Sequence, residues 1–124
     1  MIDSVATICI FVSDQDRAKT FYTEMLGFEV RSDAPMGESR WLAVAPRGAQ
    51  TEIILYKMDE NWDHYRAVMG KSQAITFHVK DLMTLHTNLQ AQGVRITSEP
   101  DKQPWGTFMT IMDPDENSLL LVEN

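Results

Sequence analysis

The chain repeats itself at a spacing of 66 to 67 residues, and this constrains its fold more than any other feature. Val12-Ser13-Asp14 is matched by Val79-Lys80-Asp81, Gly27 by Gly93, and Ile54 by Leu120. A near-constant offset sustained over about 50 residues marks an internal duplication. In a chain of 124 residues each copy is too small to bury a sizeable core alone, so two copies of one supersecondary unit must share a single domain.

The first copy opens on Val5-Ala6-Thr7-Ile8-Cys9-Ile10-Phe11-Val12, rich in β-branched and aromatic residues and read as a strand. Ser13-Asp14-Gln15-Asp16 then offers capping oxygens for a helix N-terminus. Ala18, Phe21, Tyr22 and Met25 recur at helical spacing, and Gly27 supplies the left-handed residue that ends such a helix. Strands are predicted at Phe28–Arg31, Arg40–Ala45 and Thr51–Lys57, with Pro46-Arg47-Gly48 as a turn. The second copy follows the same plan. Ala74–Val79 is a strand, and Asp81 caps a helix with the stripe Leu82, Leu85 and Leu89. Gly93 ends that helix, and strands follow at Val94–Thr97, Thr107–Met112 and Ser118–Val122.

Both halves therefore read β-α-β-β-β. The predicted fold is α+β: two pseudo-symmetric βαβββ modules, at about 1–57 and 73–124, within one domain spanning 1–124. A short helical linker over 58–72 carries Trp62 and His64 between them.

Charge and composition narrow the partners. Eleven Lys and Arg against 18 Asp and Glu give a net charge of -7, the wrong sign for gripping a phosphate backbone, so nucleic acid is not an expected partner. No apolar run approaches the ~20 residues a membrane helix needs, so no membrane partner is expected. The N-terminus lacks a basic flank and does not read as a secretory signal. The single cysteine, Cys9, cannot form an internal disulfide and fits a reducing cytoplasm.

Several stretches carry a family resemblance: Val12-Ser13-Asp14, Phe21-Tyr22 and Leu26-Gly27-Phe28 in the first half, then Trp105-Gly106, Asp113-Pro114-Asp115 and Asn117 in the second. In this order and over essentially the whole chain, they resemble the vicinal oxygen chelate superfamily of glyoxalase I, the extradiol dioxygenases and the bleomycin-resistance proteins. One departure is Glu116, where the family's last turn usually has glycine. The resemblance implies that each module's curved mixed sheet forms half of a cup around a central cavity. It also implies a homodimer.

Metal-dependent members place His, Glu or Gln ligands at four inward strand positions. By the motifs above, these fall on Thr7, Ile54, Ala74 and Leu120 of this chain. One neutral hydroxyl and three apolar side chains cannot supply the several O or N donors a divalent cation needs. No metal and no other cofactor is expected.

Strand alternation then names the residues that the resemblance turns toward the cavity. Thr7, Cys9 and Phe11 come from the first strand and Glu52, Ile54 and Tyr56 from the fourth. Ala74, Thr76 and His78 come from the fifth and Ser118, Leu120 and Val122 from the last. Trp41, Trp62, Trp105 and Phe108 lie on or beside neighbouring segments. The candidate ligand-binding set is Thr7, Phe11, Trp41, Glu52, Tyr56, Trp62, His78, Trp105 and Phe108; no catalytic residue is assigned. Each also has a plainer role: Glu52 as a solvated carboxylate, His78 as a rim residue, and the aromatics as packing.

An apolar, aromatic-lined site with few polar groups suits a small-molecule ligand, and the acidic chain favours a cationic one through its field. Three readings stay open. The favoured one is a metal-independent protein that sequesters a small molecule, in the bleomycin-resistance manner. The second is a metal-dependent or metal-free enzyme of the same superfamily: a glyoxalase-like lyase or isomerase, a dioxygenase or a thiol transferase. The third is a non-catalytic dimeric interaction module.

Overall fold

The computed structural model describes residues 1–37, 39–57 and 75–124. They belong to two compact units, Met1–Met69 and Gly70–Asn124. The expected linker helix, with Trp62 and His64, lies outside the described residues, as does Ala74.

In the first unit, β1 (Thr7–Val12) leads into α1 (Gln15–Thr20) and a π-helical turn over Phe21–Met25. Three strands follow: β2 (Glu29–Met36), β3 (Ser39–Ala45) and β4 (Glu52–Lys57). They form a sheet in the order β1-β4-β3-β2, with β1 and β4 parallel and the other pairs antiparallel. The second unit has β5 (Ile75–His78), α2 (Leu82–Ala91), β6 (Arg95–Gln103), β7 (Gly106–Met112) and β8 (Ser118–Glu123). Its sheet runs β5-β8-β7-β6, again with one parallel pair, β5 and β8. Identical topology in both units is what the 66–67-residue repeat predicts.

The third element of each unit is longer than its propensities suggest. β2 continues through Asp33 and Pro35 to Met36, and β6 through Pro100 and Asp101 to Gln103. Both are edge strands, where a proline need not donate to a ladder. Hairpin pairing with β3 and β7 overrides poor local preference, with irregularities at Val30/Ser32, Ile96/Ser98 and Ser98/Asp101.

The first helix also departs from the simple pattern. Asp14 caps it by accepting from the Arg17 N–H at 3.0 Å, but its second half widens. Leu26 N–H donates to Phe21 O at 3.1 Å, five residues back. This turn carries Phe21 and Tyr22, buried side by side with ring centroids 5.1 Å apart. Gly27, at φ +78, closes it.

In each unit the helix covers one face of the sheet. Buried Gln15 donates through Nε2 to Leu55 O (2.8 Å) and Arg40 O (3.0 Å), tying α1 to β4 and β3. Ile10, Val12, Leu42, Val44, Ile53 and Leu55 are fully or almost fully buried, each contributing roughly 1.5–3 kcal/mol. In the second unit, the Glu123 carboxylate of β8 accepts from Leu82 N–H at 2.8 Å, adding to the Asp81 cap on Thr84. Leu82, Leu89, Met109, Ile111, Leu119 and Leu121 form the corresponding core.

At the edge of the first helix, Arg40 pairs with Asp33 (2.8 and 2.9 Å) and Asp16 (2.7 Å), while Lys19 reaches Asp33 at 2.8 Å. Hydrogen bonds from Arg40 and then Lys19 hold the Asp33 carboxyl well below the usual carboxylate range. A depressed folded-state pKa means that this contribution is complete above the unfolded value near 3.9 and disappears as pH falls below it. The denaturation midpoint of Asp33→Asn should therefore fall below that of wild type at neutral pH, with the gap narrowing steadily as pH falls below about 3.9. A gap that stays constant as pH falls would refute the assignment.

The last turn holds Glu116 at φ 67, the left-handed region that glycine tolerates and glutamate resists. Its side chain gains only an exposed contact with Arg95 at 3.2 Å. Glu116→Gly is expected to raise unfolding stability by about 1 kcal/mol, read from urea denaturation; a loss would show that the Arg95 pair outweighs the backbone strain.

Candidate functional site

Opposite the helix-covered face, each sheet presents a second face whose residues follow from strand register. In the first unit, β1 and β4 run parallel with Thr7 beside Glu52, Cys9 beside Ile54 and Phe11 beside Tyr56. Paired residues point to the same side of a sheet. The expected inward residues of these two strands thus form three adjacent pairs on one face. Ala43 of β3 pairs with Ile54, and by alternation Trp41 shares this face.

Burial grades across the face. Ala43 and Ile54 at its centre are buried, Phe11, Tyr56, Trp41 and Glu52 are half-buried, and Thr7 and Cys9 are exposed. Phe11 and Tyr56 meet edge to face, with centroids 6.3 Å apart, a favourable aromatic geometry. Apolar surroundings raise the Cys9 thiol above its ordinary pKa, keeping it protonated at neutral pH and a poor nucleophile.

Glu52 stands at one end of this face. Arg31, at the irregularity in β2, donates to Glu29 (2.7 Å) and to the carbonyls of Ala49 (2.8 Å) and Pro46 (3.3 Å). Its guanidinium stays 3.9 Å from the Glu52 carboxylate. Arg31 thus pairs closely with Glu29 and only at longer range with Glu52. Sequence reasoning missed Arg31 because only the shifted β2 register brings it here.

In the second unit, Thr76 of β5 pairs with Leu120 of β8, and His78 with Val122. On β7, Phe108 pairs with Val122, Thr110 with Leu120 and Met112 with Ser118. Thr76 and His78 are exposed and Phe108 is half-buried. Thr110 and Met112 were not singled out beforehand, although the two-residue alternation from Phe108 already marks them. Trp105 lies in the β6–β7 turn, 57% exposed, stacked on Phe108 at 5.6 Å with planes 15° apart. The structure thus gathers Thr7, Phe11, Trp41, Glu52 and Tyr56 on one sheet and His78 and Phe108 on the other, with Trp105 at the latter's hairpin tip. Trp62 lies outside the described residues.

The four mapped ligand positions can be tested by their chemistry. Thr7 is an exposed hydroxyl, Ile54 is buried and apolar, and Leu120 is a half-buried hydrocarbon. Among the described residues, no three His, Cys, Asp or Glu side chains converge. The donor set at these positions does not fit a divalent metal.

A family model for the Glyoxalase/Bleomycin resistance protein/Dioxygenase superfamily matches residues 2–121. The chain belongs to this superfamily. Among relatives of this superfamily member, YetH of Bacillus subtilis strain 168 is 37% identical over 99% of this chain and 100% of its own. The crystal structure of UcmS2 is 36% identical with a TM-score of 0.87, covering 98% of both chains. TnmS3, an antibiotic binding protein from Streptomyces sp. CB03234, is 33% identical with a TM-score of 0.85, covering 98% of this chain and 96% of its own. No helix among the described residues is long and apolar enough to cross a membrane.

Proposed function

We propose that this superfamily member is a metal-independent binding protein that sequesters a small molecule. The observation that carries the reading is the chemistry at Thr7, Ile54 and Leu120: no imidazole or carboxylate stands where metal-dependent members hold theirs. In the same strands, aromatic and hydroxyl side chains line the sheet faces. Similarity to TnmS3, described as an antibiotic binding protein, supports the same reading. Thr7, Phe11, Trp41, Glu52, Tyr56, His78, Trp105 and Phe108 are its proposed contacts, together with Trp62. The proposal extends to a cytoplasmic homodimer with capture itself as the activity, and the acidic charge favours cationic cargo.

The test is a titration of the protein with a panel of aromatic antibiotics, followed by tryptophan fluorescence and thermal melting. A captured compound at a hundred times its Kd should raise Tm by on the order of 10 °C and be recovered unchanged by mass spectrometry. Ni, Zn, Mn and Fe salts should leave Tm and compound affinity unaltered. Conversion of the compound, or a metal requirement for binding, would replace capture with enzymatic chemistry.

A further inference from the structure

We infer that the helix-free face of the first sheet takes an elongated cation: an aromatic group against Phe11 and Tyr56, and a protonated amine or amidine at Glu52. The inference rests on the sequestration reading and names the chemistry of its cargo.

Three observations combine. Phe11 and Tyr56 form a half-buried edge-to-face pair at the C-terminal ends of β1 and β4. An aromatic ring added there extends an arrangement that aromatic side chains already favour. Glu52 sits four residues before Tyr56 on the same strand and the same face. At about 3.3 Å per residue, that places its backbone roughly 13 Å from Tyr56's. Cys9 and Ile54 lie between them, both uncharged, Cys9 with its thiol protonated, so the middle of the ligand must be apolar or weakly polar.

The carboxylate end is suited to an external cation. Arg31 directs its hydrogen bonds to Glu29, Pro46 and Ala49 and stays 3.9 Å from Glu52. Glu52 is about one-third exposed, so its oxygens remain able to accept from a ligand. A protonated amine there would meet a carboxylate that Arg31 reaches only at 3.9 Å. An anionic group would meet Glu52 and Glu29 at close range.

The test uses dansyl-labelled diaminoalkanes of increasing chain length and the matching dansyl amino alcohols, titrated against the intact protein by dansyl fluorescence. Affinity among the amines should pass through a maximum at a chain long enough to span from Tyr56 to Glu52. At that length the amine should bind about tenfold more tightly than its alcohol, the equivalent of roughly 1.4 kcal/mol, with the advantage shrinking as salt rises. Glu52→Gln should remove the amine's advantage, bringing the amine-to-alcohol affinity ratio close to one. Phe11→Leu, which keeps an apolar side chain but removes the ring, should weaken amine and alcohol alike. Equal binding of amines and alcohols, or affinity that climbs with chain length regardless of the terminal group, would overturn this inference and leave sequestration standing. Failure of every compound to bind would overturn this inference alone, since sequestration is decided by the separate titration with aromatic antibiotics.

Discussion

Gly106→Ala is expected to lower the free energy of unfolding by about 3 kcal/mol and to disturb the β6–β7 hairpin tip that carries Trp105. Gly106 adopts φ +149, and a Cβ there would stand 2.5 Å from the Glu123 carbonyl oxygen and 3.2 Å from Asn124 Cα. These are backbone atoms, and a rotamer change cannot relieve the overlap. β8 would have to move at Glu123, whose side chain also accepts from Leu82 N–H at the start of α2. Backbone strain and overpacking each carry about 1–3 kcal/mol. Gly48→Ala is the control. It too has a positive φ, +79, but nothing lies within 4 Å of its would-be Cβ, so only about 1 kcal/mol of conformational strain is expected. Urea denaturation of both variants, with near-ultraviolet circular dichroism for the tryptophans, provides the check. Equal destabilisation of the two would refute the close-approach argument.

Asp113→Ala is expected to destabilise the protein by a similar amount, about 3 kcal/mol. The buried Asp113 carboxylate accepts from the backbone N–H groups of Asp115 and Asn117 and from Asn117 Nδ2, each at 2.9 Å. Alanine would leave these donors, including those of the buried Asn117, without their charged acceptor. A buried unsatisfied donor costs about 1–3 kcal/mol. Asp113→Asn keeps the shape and one acceptor oxygen, and should cost about half as much. If the asparagine variant were as unstable as the alanine one, charge rather than acceptor geometry would be the essential property. This turn sets the entry of β8, so losing it should also loosen the Thr76–Leu120 and His78–Val122 pairings, detectable as faster amide exchange along β5.

The modular plan was legible in the chain because each module carries strong local signals. Asp14 and Asp81 cap their helices as expected, and Gly27 and Gly93 take positive φ where those helices end. Alternation in β1, β4 and β8 was also readable: each strand buries one row of aliphatics, Ile10 and Val12, Ile53 and Leu55, or Leu119 and Leu121, and a shift by one residue would bury the wrong set. Pairing explains why Thr7, Cys9 and Phe11 stand beside Glu52, Ile54 and Tyr56. Less legible were the long edge strands, since Pro35, Pro100 and Asp101 argue locally against strand and only hairpin pairing makes them one.

From the sequence alone came the duplication, the α+β character, the superfamily and the absence of metal-binding side chains at the four expected positions. The duplication and the α+β character depend on residue type and spacing, which need no three-dimensional partner. The superfamily and the four positions follow from the resemblance of the chain's motifs. Tertiary structure decided the rest. The shifted register of β2 brings Arg31 near Glu52, and Gly106 is required by a carbonyl from a strand 17 residues away. The Gln15 amide finds its two acceptors on β3 and β4. Each relation joins residues that are distant along the chain, and the backbone path that brings them together is set by sheet pairing and helix packing.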